Sequence, residues 1–227
     1  VARAASMLGV SKIRLTGGEP LLDKNVCDLI ERIAVLPGVE DLALTTNGAL
    51  LAPIAEKLAL AGLQRVTISL DSLDKEIFRI MSGGRGDLDA VLAGIKAADA
   101  AGLGPIKINV VVQKSVNDDG VLDLLEHFRG TGIIVRLIEF MDVGNRNGWR
   151  LNQVVPSREL LARIQKRWPM RAIGKNYPGE VARRYEYVDG AGEMGFISSV
   201  TAPFCGDCSR ARLSADGKLY TCLFANQ

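Results

Sequence analysis

Histidine is nearly absent from this 227-residue chain, at one copy, and cysteine (four) and the aromatic residues (5%) are scarce. Each shortage removes a class of mechanism. The single histidine, His127, has no partner set for histidine-based metal or acid–base chemistry, and beside Leu124, Leu125 and Phe128 it reads as a helix-surface residue. Few aromatics and a net charge of only +2 argue against a nucleic-acid partner. No uninterrupted apolar run approaches the roughly 20 residues of a membrane span, so no membrane partner is expected. Thiols without a signal-like leader point to a reducing cytoplasm. The composition, 48% hydrophobic and 24% charged, is that of an ordinary globular protein of one large or two small domains. A start at Val1 inside a helical run (Ala2, Ala5, Met7, Leu8) and a stop at Gln227 suggest a partial chain.

Three of the four cysteines form the spacing Cys205-x2-Cys208-x13-Cys222. An odd set suits a soft metal or an iron–sulfur cluster better than a disulfide framework. Structural zinc almost always takes four protein ligands, and Asp207 is the one nearby polar candidate for the fourth. A cubane on three cysteines instead leaves one iron open. Cys27, in the amphipathic run Val26, Leu29, Ile30, Ile33, reads as a small core hydrophobe.

Through about residue 140, β-branched runs alternate with helical stretches, the pattern of βα units and a parallel sheet or barrel. Strands are expected over 12–15, 41–45, 65–69, 106–112 and 133–138, with helices near 24–35, 52–61, 75–81, 88–101 and 120–129. After Gly144 come a Gly/Asn-rich connection, a helix near 157–168 and short strands, with Tyr185-Glu186-Tyr187 as one and Asp216-Gly217 as a hairpin turn. Trp149 and Trp168 read as packing anchors. The expected division is 1–144, a partial barrel core, and 145–227, a C-terminal extension of short strands carrying the cysteines.

Strand alternation separates an apolar face from a polar one. Ile106, Ile108, Val110 and Val112 oppose Lys107, Asn109, Val111 and Gln113. Val66, Ile68 and Leu70 oppose Thr67, Ser69 and Asp71, and Ile13 and Leu15 oppose Lys12, Arg14 and Thr16. Helices covering the apolar faces would leave Arg14, Ser69, Asp71, Lys107 and Asn109 lining an interior that suits a polar ligand. An open sheet with one wet face is the plainer alternative. Sites in parallel α/β folds gather at the C-terminal strand ends, here Thr16-Gly17-Gly18-Glu19-Pro20, Thr45-Thr46-Asn47-Gly48 and Ser69-Leu70-Asp71. Gly17 and Gly18 allow close backbone approach, Glu19 can accept hydrogen bonds from an amine or hydroxyl, and Pro20 stiffens the turn.

In this order, those loops and the run 107–114 resemble the radical S-adenosylmethionine (SAM) superfamily. The segment from Ile138-Glu139-Phe140-Met141-Asp142-Val143-Gly144-Asn145 and that from Cys205-Gly206-Asp207-Cys208 to Arg210-Ala211-Arg212-Leu213-Ser214 resemble its GTP 3′,8-cyclase family of molybdenum cofactor biosynthesis. The resemblance implies an incomplete (β/α)6 barrel holding one 4Fe–4S cluster with SAM, and a C-terminal segment holding a second 4Fe–4S cluster that binds GTP. It implies lyase chemistry: an electron from the first cluster cleaves SAM to a 5′-deoxyadenosyl radical, which takes the C3′ hydrogen of GTP. The carbon radical then attacks C8 of guanine, giving 3′,8-cyclo-7,8-dihydro-GTP.

Carried over by the resemblance, Gly18, Ser69 and Met141 contact SAM, and Arg14, Thr45, Lys107, Arg210 and Arg212 reach GTP. Cys205, Cys208 and Cys222 ligate the second cluster. Arg210 and Arg212, two apart on an expected strand, would face the same way and suit a triphosphate. The implied partners are GTP, SAM, an electron donor, the downstream cyclic pyranopterin monophosphate synthase and a second copy in a homodimer. One departure stands out. The family's Cys-x3-Cys-x2-Cys motif for the SAM cluster is not in this sequence, no catalytic residue is identifiable, and the chain as given is expected not to cleave SAM reductively. Two other readings stay open: a zinc-binding module contacting RNA, and a radical SAM enzyme with an auxiliary cluster acting on a peptide.

Overall fold

The structure is a computed structural model, describing residues 1–142 and 148–222, with the side chain of Asp207 left out. The expected junction at 144/145, the Gly/Asn-rich connection and motif residues Val143, Gly144 and Asn145 fall at or within the stretch outside the described residues. The chain divides into two compact units, Val1–Leu70 with Phe78–Ile108, and Asp71–Ile77 with Asn109–Gln227.

In the first unit, helix α1 (Ala2–Met7) leads into strand β1 (Lys12–Leu15), followed by α2 (Val26–Ala34), β2 (Asp41–Thr46), α3 (Ala55–Leu60) and β3 (Arg65–Ser69). Strands β1, β2 and β3 pair in parallel in that order, with Leu15 opposite Leu44 and Thr45 opposite Thr67, and β1 at the edge. Helix α4 (Lys75–Met81) crosses the boundary between units, and α5 (Leu88–Ala100) precedes β4 (Lys107–Val112), which also crosses it. Parallel strands joined by helices require right-handed crossovers, which is why helix and strand patterns alternate so regularly here.

The apolar side of this alternation is buried as expected. Ile106, Ile108, Val110 and Val112 are buried, as are Val66, Ile68 and Leu70. Helix α5 buries Leu88, Val91, Gly94, Ile95 and Ala98, the i, i+3, i+6 to i+7, i+10 stripe of one helical face. Asp87 caps its start by accepting the Asp89 N–H at 3.0 Å. Each such aliphatic side chain contributes about 1.5–3 kcal/mol by leaving water. On β1, Ile13 and Leu15 are only half-buried, because an edge strand is covered less completely.

Helix α2 corrects two expectations. Leu29 is exposed while Val26, Ile30 and Ile33 are buried, so the buried stripe is narrower than the apolar composition. Cys27 is half-buried and lines a shallow cavity of about 300 Å³ with Glu31, Lys57, Leu60 and Ala61, so it is not a core residue. Helix α3 starts three residues later than expected because Leu51 and Ile54 close turns back to Gly48 and Leu51.

In the second unit, α6 (Val121–Phe128) precedes β5 (Ile134–Glu139), and α7 (Ser157–Gln165) precedes β6 (Met170–Ile173), β7 (Arg183–Tyr187) and β8 (Glu193–Ile197). Strand β5 pairs in parallel with β8, Ile138 opposite Ile197, and β8, β7 and β6 continue antiparallel. Helix α7 ends short of Trp168, where the following Pro169 disfavours helical backbone. Trp168 packs edge-on against Tyr187 at 6.1 Å, and Trp149 donates its indole N–H to the Phe140 carbonyl at 2.9 Å, so both tryptophans anchor packing. His127 is exposed on α6. A hairpin of β9 (Arg212–Leu213) and β10 (Leu219–Tyr220) turns at Asp216-Gly217, with Gly217 at φ 83° and Ser214 N–H donating to Lys218 O at 2.9 Å.

The α/β class, with parallel strands and helical crossovers, matches expectation. Among the described residues β1 pairs with β2 alone, so the barrel is incomplete rather than closed.

Candidate functional site

In the first unit the strand-end loops after β1 and β2 are tied to one another. Glu19 accepts from Thr46 Oγ1 at 2.7 Å and Leu21 N–H at 3.1 Å through Oε1, and from Asn47 N–H at 2.7 Å through Oε2. Thr46 Oγ1 in turn accepts the Gly48 N–H at 3.0 Å. The carboxylate expected to meet an incoming amine or hydroxyl therefore has three protein donors. Its role is to hold the loops after β1 and β2 in register. Gly17 has φ 145°, which a side chain would rarely adopt. Gly18 needs no such backbone, yet a Cβ built on it meets nothing within 4 Å. That open space, beside exposed backbone, suits close approach of a ligand. Ser69, the last residue of β3, is exposed at the C-terminal end of its strand.

On the polar side of β1–β3, Arg14 Nη1 donates to Thr45 Oγ1 at 3.1 Å and to Thr67 Oγ1 at 3.2 Å. Thr45 and Thr67 are direct cross-strand partners, so one guanidinium spans three strands. Arg14 and Thr45 are thus brought together as a pair, while Thr67, buried at 1% exposure, is a member the sequence reading did not assign. Its signal was the alternation that put it beside Ser69 on the polar face. Lys107 opens β4 at the strand's N-terminal end and is half-buried.

In the second unit two further polar residues have structural partners. Asp71 Oδ1 accepts the Val111 N–H at 2.7 Å, and Asn109 Oδ1 accepts from Arg136 Nε at 2.9 Å. Buried Asn117 donates to the carbonyls of Asp71 and Val111, each at 2.8 Å, and accepts the Gln113 N–H at 2.8 Å. Burial pushes the Asp71 carboxyl up to about 6, against the lowering effect of the Val111 hydrogen bond.

Glu139, part of the 138–145 motif, is a buried acid whose role the sequence pattern does not indicate. It ends β5 on the same side as buried Val135 and Leu137 and is 1% exposed. A carboxylate at a core-facing strand position is the signal that could have found it. Burial opposes its ionisation, but hydrogen bonds from Thr201, Ser157 and Val200 prevail and hold its carboxyl below the ordinary range.

Cys205 opens a single 3₁₀ turn (Cys205–Asp207) and Cys208 ends it, its N–H donating to Cys205 O at 3.3 Å. Cys205 and Cys222 are exposed and Cys208 half-buried, and none forms a disulfide. Arg210 Nε donates to Cys208 Sγ at 3.4 Å and its guanidinium lies 5.2 Å over the Phe204 ring. Hydrogen bonds from Arg210, helped by the charges of Arg210 and Arg212, hold the Cys208 thiol below its ordinary range. Arg210 is not in a strand, whereas Arg212 begins β9, so the two are not consecutive same-face residues of one strand. The turn that carries Cys208 swings Arg210 onto the sulfur instead.

As a donor set, three thiols with one biased towards thiolate by an arginine have the chemistry that an iron–sulfur cluster needs. Among the described residues no three Cys, His, Asp or Glu side chains are gathered as a metal-binding group. The only other cysteine in the chain is Cys27, so the residues present do not provide ligands for a second, SAM-associated cluster. Met141 is half-buried two residues beyond Glu139. No described helix is long and apolar enough to cross a membrane.

Comparison with solved structures gives the same fold at low identity. A domain of pyruvate-formate lyase-activating enzyme from Bacteroides vulgatus ATCC 8482 has TM-score 0.53 at 18% identity, covering 69% of this chain and 91% of that one. A radical SAM methyltransferase from Sphaerobacter thermophilus has TM-score 0.52 at 20% identity, covering 73% and 50%. The Radical SAM superfamily description matches residues 1–128, and Molybdenum Cofactor Synthesis C matches residues 133–227. Closer relatives carry one name. GTP 3′,8-cyclase of Xanthomonas campestris pv. campestris strain B100 is 61% identical over all of this chain and 67% of its own length. That of Acidothermus cellulolyticus is 54% identical over 99% of this chain and 62% of its own length, and that of Staphylococcus carnosus is 46% identical over 99% and 66%. The chain belongs to the radical SAM superfamily and, within it, to the GTP 3′,8-cyclase family; it spans about two thirds of the length of these relatives.

Proposed function

We propose that this chain carries the substrate-binding part of a GTP 3′,8-cyclase, a radical SAM lyase of molybdenum cofactor biosynthesis. The observation that carries the reading is its 61% identity to a GTP 3′,8-cyclase across every residue of the chain. In this reading residues 1–144 are the partial barrel core and 145–227 the cluster- and GTP-binding extension. Gly18, Ser69 and Met141 hold SAM. Arg14, Thr45 and Lys107 contact GTP, with Thr67 fixing the Arg14 guanidinium, and Arg210 and Arg212 neutralise triphosphate charge.

Cys205, Cys208 and Cys222 would hold a 4Fe–4S cluster, which when bound supplies an iron position open to the guanine base. Arg210 has two tasks here: it favours the Cys208 thiolate needed for ligation and brings positive charge beside it. A reductant, the enzyme consuming the cyclised nucleotide and a second copy of the chain complete the partners.

Anaerobic reconstitution with iron and sulfide, followed by GTP titration, tests the reading. Cluster-bound iron with labile sulfide and GTP-dependent change in its spectrum are expected. One zinc per chain without sulfide, or no response to GTP, would overturn it. Because the chain has no ligands for a SAM-associated cluster, dithionite and SAM should yield no 5′-deoxyadenosine.

A further inference from the structure

Glu139 has more hydrogen-bond donors than a buried carboxylate needs merely to be tolerated. Oε1 accepts from Ser157 N–H at 2.9 Å, Ser157 Oγ at 3.0 Å and Thr201 Oγ1 at 2.5 Å. Oε2 accepts from Val200 N–H at 2.9 Å and Thr201 N–H at 2.8 Å. Ser198 Oγ donates to Ser157 Oγ at 2.7 Å, closing the network. The donors come from the first turn of α7 and from the loop that leaves β8, whose end lies beside that of β5. The loop then runs through Ala202, Pro203 and Phe204 into Cys205.

We propose that Glu139 is the positioning residue for the cysteine turn, clamping the 198–201 loop so that Cys205 and Cys208 are presented from a fixed base. The proposal rests on the reading of those cysteines as cluster ligands. Its chemical basis is the donor count. Three backbone N–H groups and two hydroxyls face one anion, three of them on Oε1 and two on Oε2, so both oxygens of an acceptor-only carboxylate are fully engaged. No aliphatic residue could leave those N–H groups satisfied, and glutamine would turn an NH2 towards donors. A clamp is needed here because the turn itself is a single 3₁₀ turn with Cys205 exposed and Cys208 half-buried, whereas Glu139 is buried at the end of its strand. The same strand leads in two residues to Met141, so one anchored carboxylate sets the origin of the cysteine loop and lies next to the expected SAM contact.

The test compares the whole chain with Glu139→Gln and with Thr201→Val, which removes one hydroxyl and keeps the carboxylate. Hydrogen exchange of the 198–204 peptide and iodoacetamide alkylation of each cysteine are followed in the metal-free chain, with Cys27 as internal control. Glu139→Gln should speed exchange of this peptide by about tenfold to a hundredfold, the range for leaving buried donors unpaired, with α2 and Cys27 unchanged. Alkylation of Cys205 and Cys208 should change relative to Cys27. Thr201→Val should give a smaller change of the same sign. After reconstitution, the Gln variant should bind less iron and show an altered paramagnetic spectrum when reduced.

Unchanged exchange at 198–204 and an unchanged Cys205/Cys27 alkylation ratio in both variants would overturn the proposal. Global loosening that moves Cys27 and α2 equally would overturn it too, since that is what a merely structural acid would do; Thr201→Val, the milder change, decides this if the Gln variant does not fold. If the unaltered chain takes up no iron, the cluster reading fails separately, and the metal-free exchange and alkylation results still decide the clamp.

Discussion

The strand-end loops of the first unit and the cysteine segment of the second are both candidate binding regions, yet they are built in opposite ways. Around β1–β3 the polar side chains are already bonded to one another: Arg14 to Thr45 and Thr67, Glu19 to Thr46 and Asn47. The cysteine segment has a 3₁₀ turn and a two-residue-per-strand hairpin, and Arg210 reaches the Cys208 thiol from the loop between them. A parallel sheet fixes side chains before any ligand arrives, because its register is set by buried aliphatics. Thiolates held on short turns gain their order from the metal they bind, so that binding and folding are coupled. The first region is organised by the fold; in the proposed reading the second starts from the base that Glu139 fixes and completes its order when a cluster binds.

The largest expected effect breaks the second region. Cys208→Ser should abolish cluster assembly, read as loss of iron and labile sulfide after anaerobic reconstitution, while the circular dichroism of the chain stays unchanged. Retained cluster in that variant would contradict dependence on the thiol. Next, Glu19→Ala should destabilise the first region by about 2–3 kcal/mol, since three donors lose their acceptor, one of them the hydroxyl of buried Thr46. Urea unfolding measures it, and a change under about 0.5 kcal/mol would show that these loops are not held by the carboxylate.

Asp71 gives a pH test of comparable or smaller size. Its folded-state value of about 6 lies above the ordinary 3.8 of an unfolded aspartate. The folded protein therefore holds this proton more tightly than the unfolded chain. The penalty is absent below about pH 4, grows as pH rises through 6 and is constant above, reaching at most roughly 3 kcal/mol. Asp71→Asn should flatten that part of the stability–pH curve; an unaltered slope would assign it to other groups. The smallest effect sharpens the contrast at the thiol. Arg210→Ala should raise the Cys208 value and slow its alkylation near neutral pH by a few fold, while Cys27 reacts as before. A pH profile of alkylation reads this directly.

Much of the fold was legible because its signals are local. Alternation on β3 and β4 named the buried faces, and the hairpin at Asp216-Gly217 followed from a turn that glycine alone fits well. The pairing of Arg14 with Thr45 was half-legible: both stand out as polar strand residues, but that Thr67 completes the set does not. Extending a strand through Arg210 failed because a two-residue strand is too short to leave a periodic signal, and the preceding turn governs where that guanidinium goes. Cys27 was misplaced because amphipathic spacing does not tell which rim of the apolar stripe meets solvent.

By itself the sequence determined the order of strands and helices, the apolar and polar faces, and membership of a family through loops and cysteine spacing, all written within a few residues of one another. The tertiary structure decided the fate of the acids. Glu19 meets donors 27 and 28 residues away, Asp71 one 40 away and Glu139 one 62 away. Those partners are brought together only when strand ends become neighbours. A buried carboxylate acts according to the donors around it, and periodicity, which is local, cannot name them.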